Sequence, residues 1–328
     1  MKVVFTYYPL YVRYNHGTAI LSAQCKAAGV ESFTVPMDDK YFEIINRIKP
    51  DYVCYSAVTK HDYLCALDYL EKTTYPKIMG GVYARAGTKV SPMFKYVCRG
   101  EAETGFVEFL NGDMTIFDQA TRAKDINTFP DYDYVIGNEF HRDFNILKNK
   151  KIFPYSSSRG CPYKCSFCQN INGKVRIKTT IKEDLDRVRK YSPDIILITD
   201  ELAPYYSDAW LSQIEGNKTP LSMYIRADIP EDRLLFLIGN GLSVCAFGIE
   251  SGDEFYRNSE LNKGLSDEKI YKTVECLKKH DIDFIPFYMV GTPNETHQIQ
   301  TKTFKMAQEI GGNWVIWEYE KLWEPQQQ

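Results

Sequence analysis

No apolar run in these 328 residues approaches the roughly 20 that a membrane-spanning helix needs. The sequence therefore offers no membrane span. The N-terminal stretch MKVVFTYYPLYVRYNHG has no long apolar segment after its lysine, so it reads as a strand and a polar loop and not as a secretory signal. The net charge is only −3, so no global basic field points to nucleic acid. The cysteines are odd in number, nine, and lack paired spacing, which argues against a disulfide framework. Six of them, Cys25, Cys54, Cys65, Cys98, Cys245 and Cys276, are scattered among apolar residues, as buried free thiols are. A reducing cytoplasm is the natural compartment. What is present is ordinary for a globular protein: 44% hydrophobic and 25% charged residues, in a length that suits about two domains. Tyrosine is abundant, at 24 residues, and these rings read as core or pocket wall.

The other three cysteines lie together in Arg159-Gly160-Cys161-Pro162-Tyr163-Lys164-Cys165-Ser166-Phe167-Cys168. Gly160 and Pro162 favour a turn over a helix, so three thiolates on one tight loop can converge on one metal centre. Three is one short of a closed zinc site and one short of the four thiolates that usually hold an iron–sulfur cluster. A 4Fe–4S cluster on three cysteines leaves one iron open for a ligand. The competing readings are a zinc knuckle that borrows a fourth ligand such as His141, or three ordinary thiols.

Upstream, short apolar strands alternate with helices. Val3–Tyr7, Ser32–Val35 and Tyr52–Ser56 read as strands; about Thr18–Ala28, Tyr41–Ile48 and His61–Lys72 read as helices. Ile78-Met79 runs into Gly80-Gly81, and Tyr96-Val97-Cys98 into Arg99-Gly100-Glu101. This alternation predicts a parallel sheet with helices on both faces, and glycines at strand ends let a ligand approach closely. Periodicity weakens over 113–151, around Phe129-Pro130-Asp131-Tyr132-Asp133, which reads as a connector crossing the barrel mouth. His141 within it reads as a surface residue.

Downstream, six strands are expected: Phe153–Ser158 leading straight into the cysteine loop, Asp194–Thr199, Leu221–Ile225, Ser243–Ile249, Phe284–Val290 and Trp314–Trp317. Helices intervene, including Ser266–His280 with apolar residues at Ile270, Val274 and Leu277. The pattern is a six-unit parallel β/α barrel, in which the carboxyl ends of the strands carry the chemistry. Polar or glycine-rich motifs follow five strands: the cysteine loop, Asp200-Glu201, Arg226-Ala227-Asp228, Glu250-Ser251-Gly252 and Gly291-Thr292-Pro293.

The cysteine spacing, with Phe167 before the third cysteine, closely resembles the cluster loop of the radical S-adenosylmethionine (radical SAM) enzymes. The ordered strand-end motifs match that family's barrel over most of 153–318. The first half resembles the cobalamin-binding-type domain found ahead of many such barrels, through Pro50-Asp51-Tyr52-Val53, Ile78-Met79-Gly80-Gly81 and Arg99-Gly100-Glu101-Ala102-Glu103. None of the five histidines lies in the Asp-x-His-x-x-Gly motif by which many cobalamin domains ligate cobalt. The resemblance implies an α/β fold in two parts. Residues 1–112 would be a doubly wound, Rossmann-like sheet, 113–151 a connector, and 152–328 a six-unit partial β/α barrel.

The resemblance also implies roles. Cys161, Cys165 and Cys168 would hold a 4Fe–4S cluster whose open iron chelates S-adenosylmethionine, with Phe167 near the adenine. Asp200 and Glu201 match the position that contacts the methionine amino group, and Arg226 the residue facing its carboxylate. Glu250 and Ser251 match a ribose-contacting position, and Gly291 and Pro293 the wall near the adenine. Gly80, Gly81, Gly100 and Glu101 would shape a cobalamin site. Asp228 and Lys263, taken alone, read as surface ion pair or turn. The implied enzyme generates a 5′-deoxyadenosyl radical, draws electrons from a donor such as flavodoxin or ferredoxin, and with cobalamin transfers a methyl group to an unidentified substrate. Without cobalamin, the first domain is vestigial and the reaction is a rearrangement, cyclisation or oxidation. A methylthiotransferase-like enzyme ranks low, because Cys25, Cys54, Cys65 and Cys98 lack ligand spacing for a second cluster. A non-enzymatic metal-binding protein is the remaining class. Many relatives carry a further C-terminal domain, and this chain ends soon after its sixth strand.

Overall fold

The computed structural model describes residues 1–8, 16–85, 89–117, 123, 125–130, 147, 150–168 and 174–319. The chain divides into two compact units that part between residues 141 and 142. Much of the expected connector, with His141 and Asp131-Tyr132-Asp133, lies outside the described residues.

The first unit alternates strand and helix: β1 (Lys2–Tyr7), α1 (His16–Ala27), β2 (Glu31–Pro36), α2 (Tyr41–Ile48), β3 (Tyr52–Ser56), α3 (Lys60–Glu71), β4 (Lys77–Gly80), α4 (Val82–Arg85), β5 (Tyr96–Val97) and α5 (Phe106–Leu110). The strands pair in parallel in the order β2-β1-β3-β4-β5. Val3, Val4 and Phe5 of β1 are fully buried, as expected of a central strand covered on both faces. Val4, Val53, Tyr55 and Met79 pack with Tyr41, Ile45, Ala66 and Leu70 of the flanking helices, and each large apolar side chain so buried stabilises the unit by about 1.5–3 kcal/mol. Lys49 stops α2 in the left-handed conformation ahead of Pro50, and the Thr59 side chain caps α3 by accepting from Asp62 N–H. The order reverses between β1 and β3, and doubly wound sheets bind ligands at the carboxyl ends beside such a reversal.

The second unit holds β6 (Ile152–Tyr155), β7 (Ser158–Arg159), β8 (Arg176–Ile177), α6 (Ile181–Arg189), β9 (Ile195–Ile198), α7 (Asp208–Ile214), β10 (Leu221–Tyr224), α8 (Glu231–Gly239), β11 (Leu242–Glu250), α9 (Glu254–Ser259), α10 (Asp267–Lys279), β12 (Asp283–Val290), α11 (His297–Ile310) and β13 (Val315–Glu318). Six strands form a parallel half-barrel in sequence order, β6-β9-β10-β11-β12-β13. Ser207, Asp253, Ser266 and Thr296 cap α7, α9, α10 and α11.

One local expectation is corrected, and one helix is added. The first barrel strand does not run through Ser158 into the cysteine loop; it stops at Tyr155. The Asp200 carboxylate takes the N–H groups of Ser157 and Ser158 at 2.7 and 3.0 Å, so they are lost to a ladder, and Ser158–Arg159 turns to pair antiparallel with Arg176–Ile177. Helix α9, unread in the sequence, follows β11 directly. Asp253 starts it by accepting from Tyr256 N–H at 2.8 Å.

Candidate active site

The antiparallel pair β7–β8 closes the base of the loop that carries Cys161, Cys165 and Cys168. Gly160 enters that loop at φ +94°, where an added Cβ would lie 2.6 Å from Lys174 O. Only glycine fits such a left-handed close approach. Within the loop, Cys168 N–H donates to Cys165 O at 3.1 Å. Burial pushes the Cys161 thiol up, the Tyr163 N–H opposes this, and the neighbouring Cys168, Cys165 and Glu201 push it further. The three thiols thus share one electrostatic neighbourhood. Among the described residues, no three His, Cys, Asp or Glu side chains already stand in metal-binding geometry. The donor set, three thiols on one loop, suits a thiolate-held cluster with one open metal position.

Asp200 underlies this loop. It is 1% exposed and accepts four hydrogen bonds: from the N–H groups already named and from Ser157 Oγ (2.5 Å) and Ser158 Oγ (2.7 Å). Trp210 Nε1 donates to Ser157 Oγ at 2.8 Å, backing the network with an indole. Four donors fill the acceptor capacity of a carboxylate, so Asp200 anchors the loop and has no lone pair to spare for a methionine amino group. Burial raises its pKa to about 6 despite the serine donors. Glu201, next along and exposed, accepts from Gly160 N–H at 3.0 Å.

Arg226 lies just past the end of β10, beside the loop. Its guanidinium lies 3.9 Å from the centre of the Tyr163 ring, a stacking worth about 0.5–2 kcal/mol. Nε donates to Asp228 Oδ1 at 2.9 Å, and Nη2 to Lys263 O and, at 2.9 Å, to Gly264 O. These bonds leave the Nη1 edge of the fork for an anion. Glu250 ends β11 at φ +71°, just past a register shift against β12. Its Oε1 accepts from Lys263 Nζ at 2.8 Å, with both side chains about one-tenth exposed. Lys263 Nζ also stands 5.6 Å from the Phe167 ring centre. A Cβ on Gly248 would collide with Glu250 Oε1 and lie 2.9 Å from Lys263 Nζ, so the missing side chain makes room for the ion pair. Lys263 and Asp228 are therefore enclosed members of the site and not surface charges, with side chains 10% and 12% exposed. Taken alone, each reads in the sequence as a surface ion pair or turn residue, because each lies in a short polar stretch.

Other candidates have structural work. Ser251 is buried; its Oγ lies 3.4 Å from Thr303 Oγ1 and accepts from Asp253 N–H. That ties it to α9 and α11 and leaves any sugar contact to Glu250. Gly291 turns at φ +80° and donates its N–H to Glu295 Oε2, while Pro293 O accepts from Tyr256 Oη at 2.6 Å. In the first unit, a Cβ on Gly81 would collide with Ala57 O and meet Ser56 Oγ at 2.8 Å, so packing alone requires glycine there. A Cβ on Gly80 meets nothing within 4 Å, which leaves space at the carboxyl end of β4. Gly100 O accepts from the Cys98 thiol at 3.7 Å, and Glu101, 3% exposed, accepts from Ala123 N–H at 2.7 Å. Glu101 thus braces its own chain.

The inner face of the half-barrel sheet carries an aromatic shelf. Strand register puts Tyr224, Ala246, Gly248 and Phe287 on one face, together with Val315, Met289 and Trp317. The Tyr224 and Phe287 rings, from strands two apart, stack at 6.2 Å with 25° between planes, over the small residues of β11. Tyr224 is 37% and Trp317 42% exposed. Periodicity placed these residues on strands; register across strands was needed to collect them.

Comparison with known proteins agrees with this geometry. Residues 155–306 match the Radical SAM superfamily. The anaerobic magnesium-protoporphyrin IX monomethyl ester cyclase of Rubrivivax gelatinosus is 22% identical over an alignment covering 93% of this chain and 64% of that enzyme. The corresponding enzyme of Cereibacter sphaeroides is 21% identical, covering 87% of this chain and 53% of its own length. The chain thus spans only part of the length of these curated relatives. The radical S-adenosylmethionine methyltransferase TsrM from Kitasatospora setae, with tryptophan substrate and a SAM analogue bound, superposes with a TM-score of 0.74 at 12% identity, covering 97% of this chain and 72% of that one. Its form with cobalamin and a 4Fe–4S cluster gives 0.72 at 10% identity, covering 96% and 72%. At such identities the likeness is one of fold.

Proposed function

We propose that the chain, whose residues 155–306 match the Radical SAM superfamily, is a cobalamin-dependent radical SAM methyltransferase acting on a flat, ring-bearing substrate. The observation that carries the reading is the meeting, at the carboxyl ends of the half-barrel strands, of the three-cysteine loop, Arg226 and the Glu250–Lys263 pair. When bound, the cluster supplies the electron that splits S-adenosylmethionine into methionine and a 5′-deoxyadenosyl radical, and cobalamin supplies a methyl carrier.

The protein's own residues bind and orient. Cys161, Cys165 and Cys168 would hold the cluster. Arg226 turns its Nη1 edge to the methionine carboxylate, a charge-assisted contact. The amino group falls to Glu201, since the Asp200 oxygens are taken. Glu250, fixed by Lys263, meets the ribose, and Phe167 lies along the adenine, with Gly291 and Pro293 shaping the far wall. The shelf of Tyr224, Phe287 and Trp317 receives the substrate ring and keeps water from the reacting atoms. Cobalamin would be held at the carboxyl edge of the first sheet, where Gly80 leaves room, without a ligand to cobalt from a histidine motif.

A second reading is a cyclisation without methyl transfer. Its support is that the two curated relatives, aligned over 93% and 87% of this chain, are cyclases. Anaerobic reconstitution separates these possibilities. Wild-type protein should gain about four iron and four sulfide per chain, release 5′-deoxyadenosine from S-adenosylmethionine when reduced with dithionite, and retain hydroxocobalamin through gel filtration. A triple Cys→Ala variant at 161, 165 and 168 that keeps its iron sinks the cluster assignment. Wild type that retains no cobalamin removes methyl transfer from cobalamin and leaves a rearrangement, cyclisation or oxidation.

A further inference from the structure

We propose that residues 260–264 form a clasp that couples the co-substrate side of the site to the cysteine loop, with Ser166 and Asn262 as its positioning residues. The proposal rests on the reading of the site just given. The segment follows α9 and bends through left-handed backbone at Asn262 (φ +50°) and Gly264 (φ +62°). It is stiffened from behind. Arg257, fully buried, donates Nε to Leu265 O at 2.8 Å and Nη1 to Ser251 O at 2.7 Å. Asn258 pairs with Leu265 in both directions, at 2.8 and 3.2 Å, and Lys263 N–H donates to Arg257 O at 3.1 Å.

From the front the clasp grips the cysteine loop. Ser166 N–H donates to Leu261 O at 3.0 Å and Ser166 Oγ to Glu260 O at 2.7 Å. Asn262 Nδ2 donates to Lys164 O at 2.7 Å. Lys164 and Ser166 flank Cys165, and neither is a ligand. The same five residues send Lys263 Nζ to Glu250 and two carbonyls to Arg226. One short, stiff segment therefore holds both groups that face the co-substrate and the backbone on either side of a ligating cysteine. Any shift that the co-substrate imposes on Arg226 or Lys263 passes to Cys165 through Ser166 and Asn262. Contiguous hydrogen-bonded contacts between rigid parts are the physical means for such coupling.

The test uses variants that spare the backbone. Asn262→Gly keeps the left-handed conformation and deletes one bond. Ser166→Ala deletes the hydroxyl bond and keeps the N–H bond, and Ser166→Thr preserves both. In reconstituted protein, adding S-adenosylmethionine to wild type should shift the midpoint potential and the electron paramagnetic resonance signal of the reduced cluster. The double variant Ser166→Ala/Asn262→Gly, which keeps only the Ser166 N–H bond, should keep full iron content and wild-type melting temperature, show a markedly smaller shift, and bind S-adenosylmethionine about tenfold more weakly. Ser166→Thr should behave as wild type. A double variant that retains both the shift and the affinity overturns the coupling. A double variant that instead sheds its iron also overturns it, because the clasp would then serve only to hold the loop. Wild-type protein that takes up no cluster fails the underlying reading, and that outcome is visible in the iron count before any variant is compared.

Discussion

A methyl group at residue 248 has nowhere to go: it would collide with Glu250 Oε1 and crowd Lys263 Nζ. Overpacking of this kind costs about 1–3 kcal/mol when neighbours can yield, and here the yielding neighbours are the enclosed ion pair. Gly248→Ala should therefore leave the iron count at wild type and weaken S-adenosylmethionine binding by roughly tenfold or more, as losses of oriented contacts do. Isothermal titration beside an iron assay checks it, and wild-type affinity would dismiss the ion pair from the site. Asp200 makes a different prediction. Burial holds its folded pKa at about 6, above the ordinary carboxyl value of 3.8. A raised carboxyl pKa contributes stability that is fully present below the unfolded value and is lost as pH rises through the folded one. Melting temperatures of wild type and Asp200→Asn, taken from pH 4 to 7, should show the carboxyl's contribution falling across about pH 4–6. A difference between the two proteins that stays flat over that window would refute it.

At the scale of elements, the two glycines that end β4 separate packing from ligand space. Gly81→Val must drive a side chain into Ala57 at φ +92°, a left-handed conformation that costs an L-residue about 1–2 kcal/mol before the clash is counted. It should lower the melting temperature whether or not cobalamin is present. Gly80→Val faces open space, so it should leave stability near wild type and reduce cobalamin retained after gel filtration; unchanged retention would remove Gly80 from the cofactor site. Much of this architecture is legible in sequence, because the first sheet and the half-barrel are built of local units whose apolar runs and strand-end motifs announce themselves. The cysteine loop is legible for the same reason, its ligands being only residues apart. What escapes is what depends on distant partners. The two-residue ladder β7–β8 is too short for any pattern, and it exists because Asp200, 42 residues on, captures the Ser158 N–H. Lys263 reads as a turn residue until the clasp around Arg257 is built. The shelf of Tyr224, Phe287 and Trp317 appears only once parallel register aligns three strands.

Over the whole molecule, the proposed cofactors fall in different compact units, the cluster in the second and cobalamin in the first. Each set of contacts is built within its own unit: the cysteine loop on β7, β8 and the clasp, and the Gly80 edge on β3 and β4. Loading of one should not require the other. The triple Cys→Ala variant should lose its iron and still retain cobalamin to the same occupancy as wild type, measured by absorption after gel filtration. Parallel loss of both would mean that the two units depend on each other.

The clasp has a consequence in time as well as in space. Ser166 and its acceptor Glu260 are 94 residues apart in the chain. A ribosome adding about 5–20 residues per second takes roughly 5–20 s to cover that distance. Throughout that interval the three cysteines have been synthesised, and the clasp has not. Every new copy of the protein therefore passes through a stage in which its cysteine loop, even once β7–β8 and Asp200 hold its base, lacks the clasp, with its thiols open alike to whatever delivers iron and sulfide and to any oxidant that arrives first.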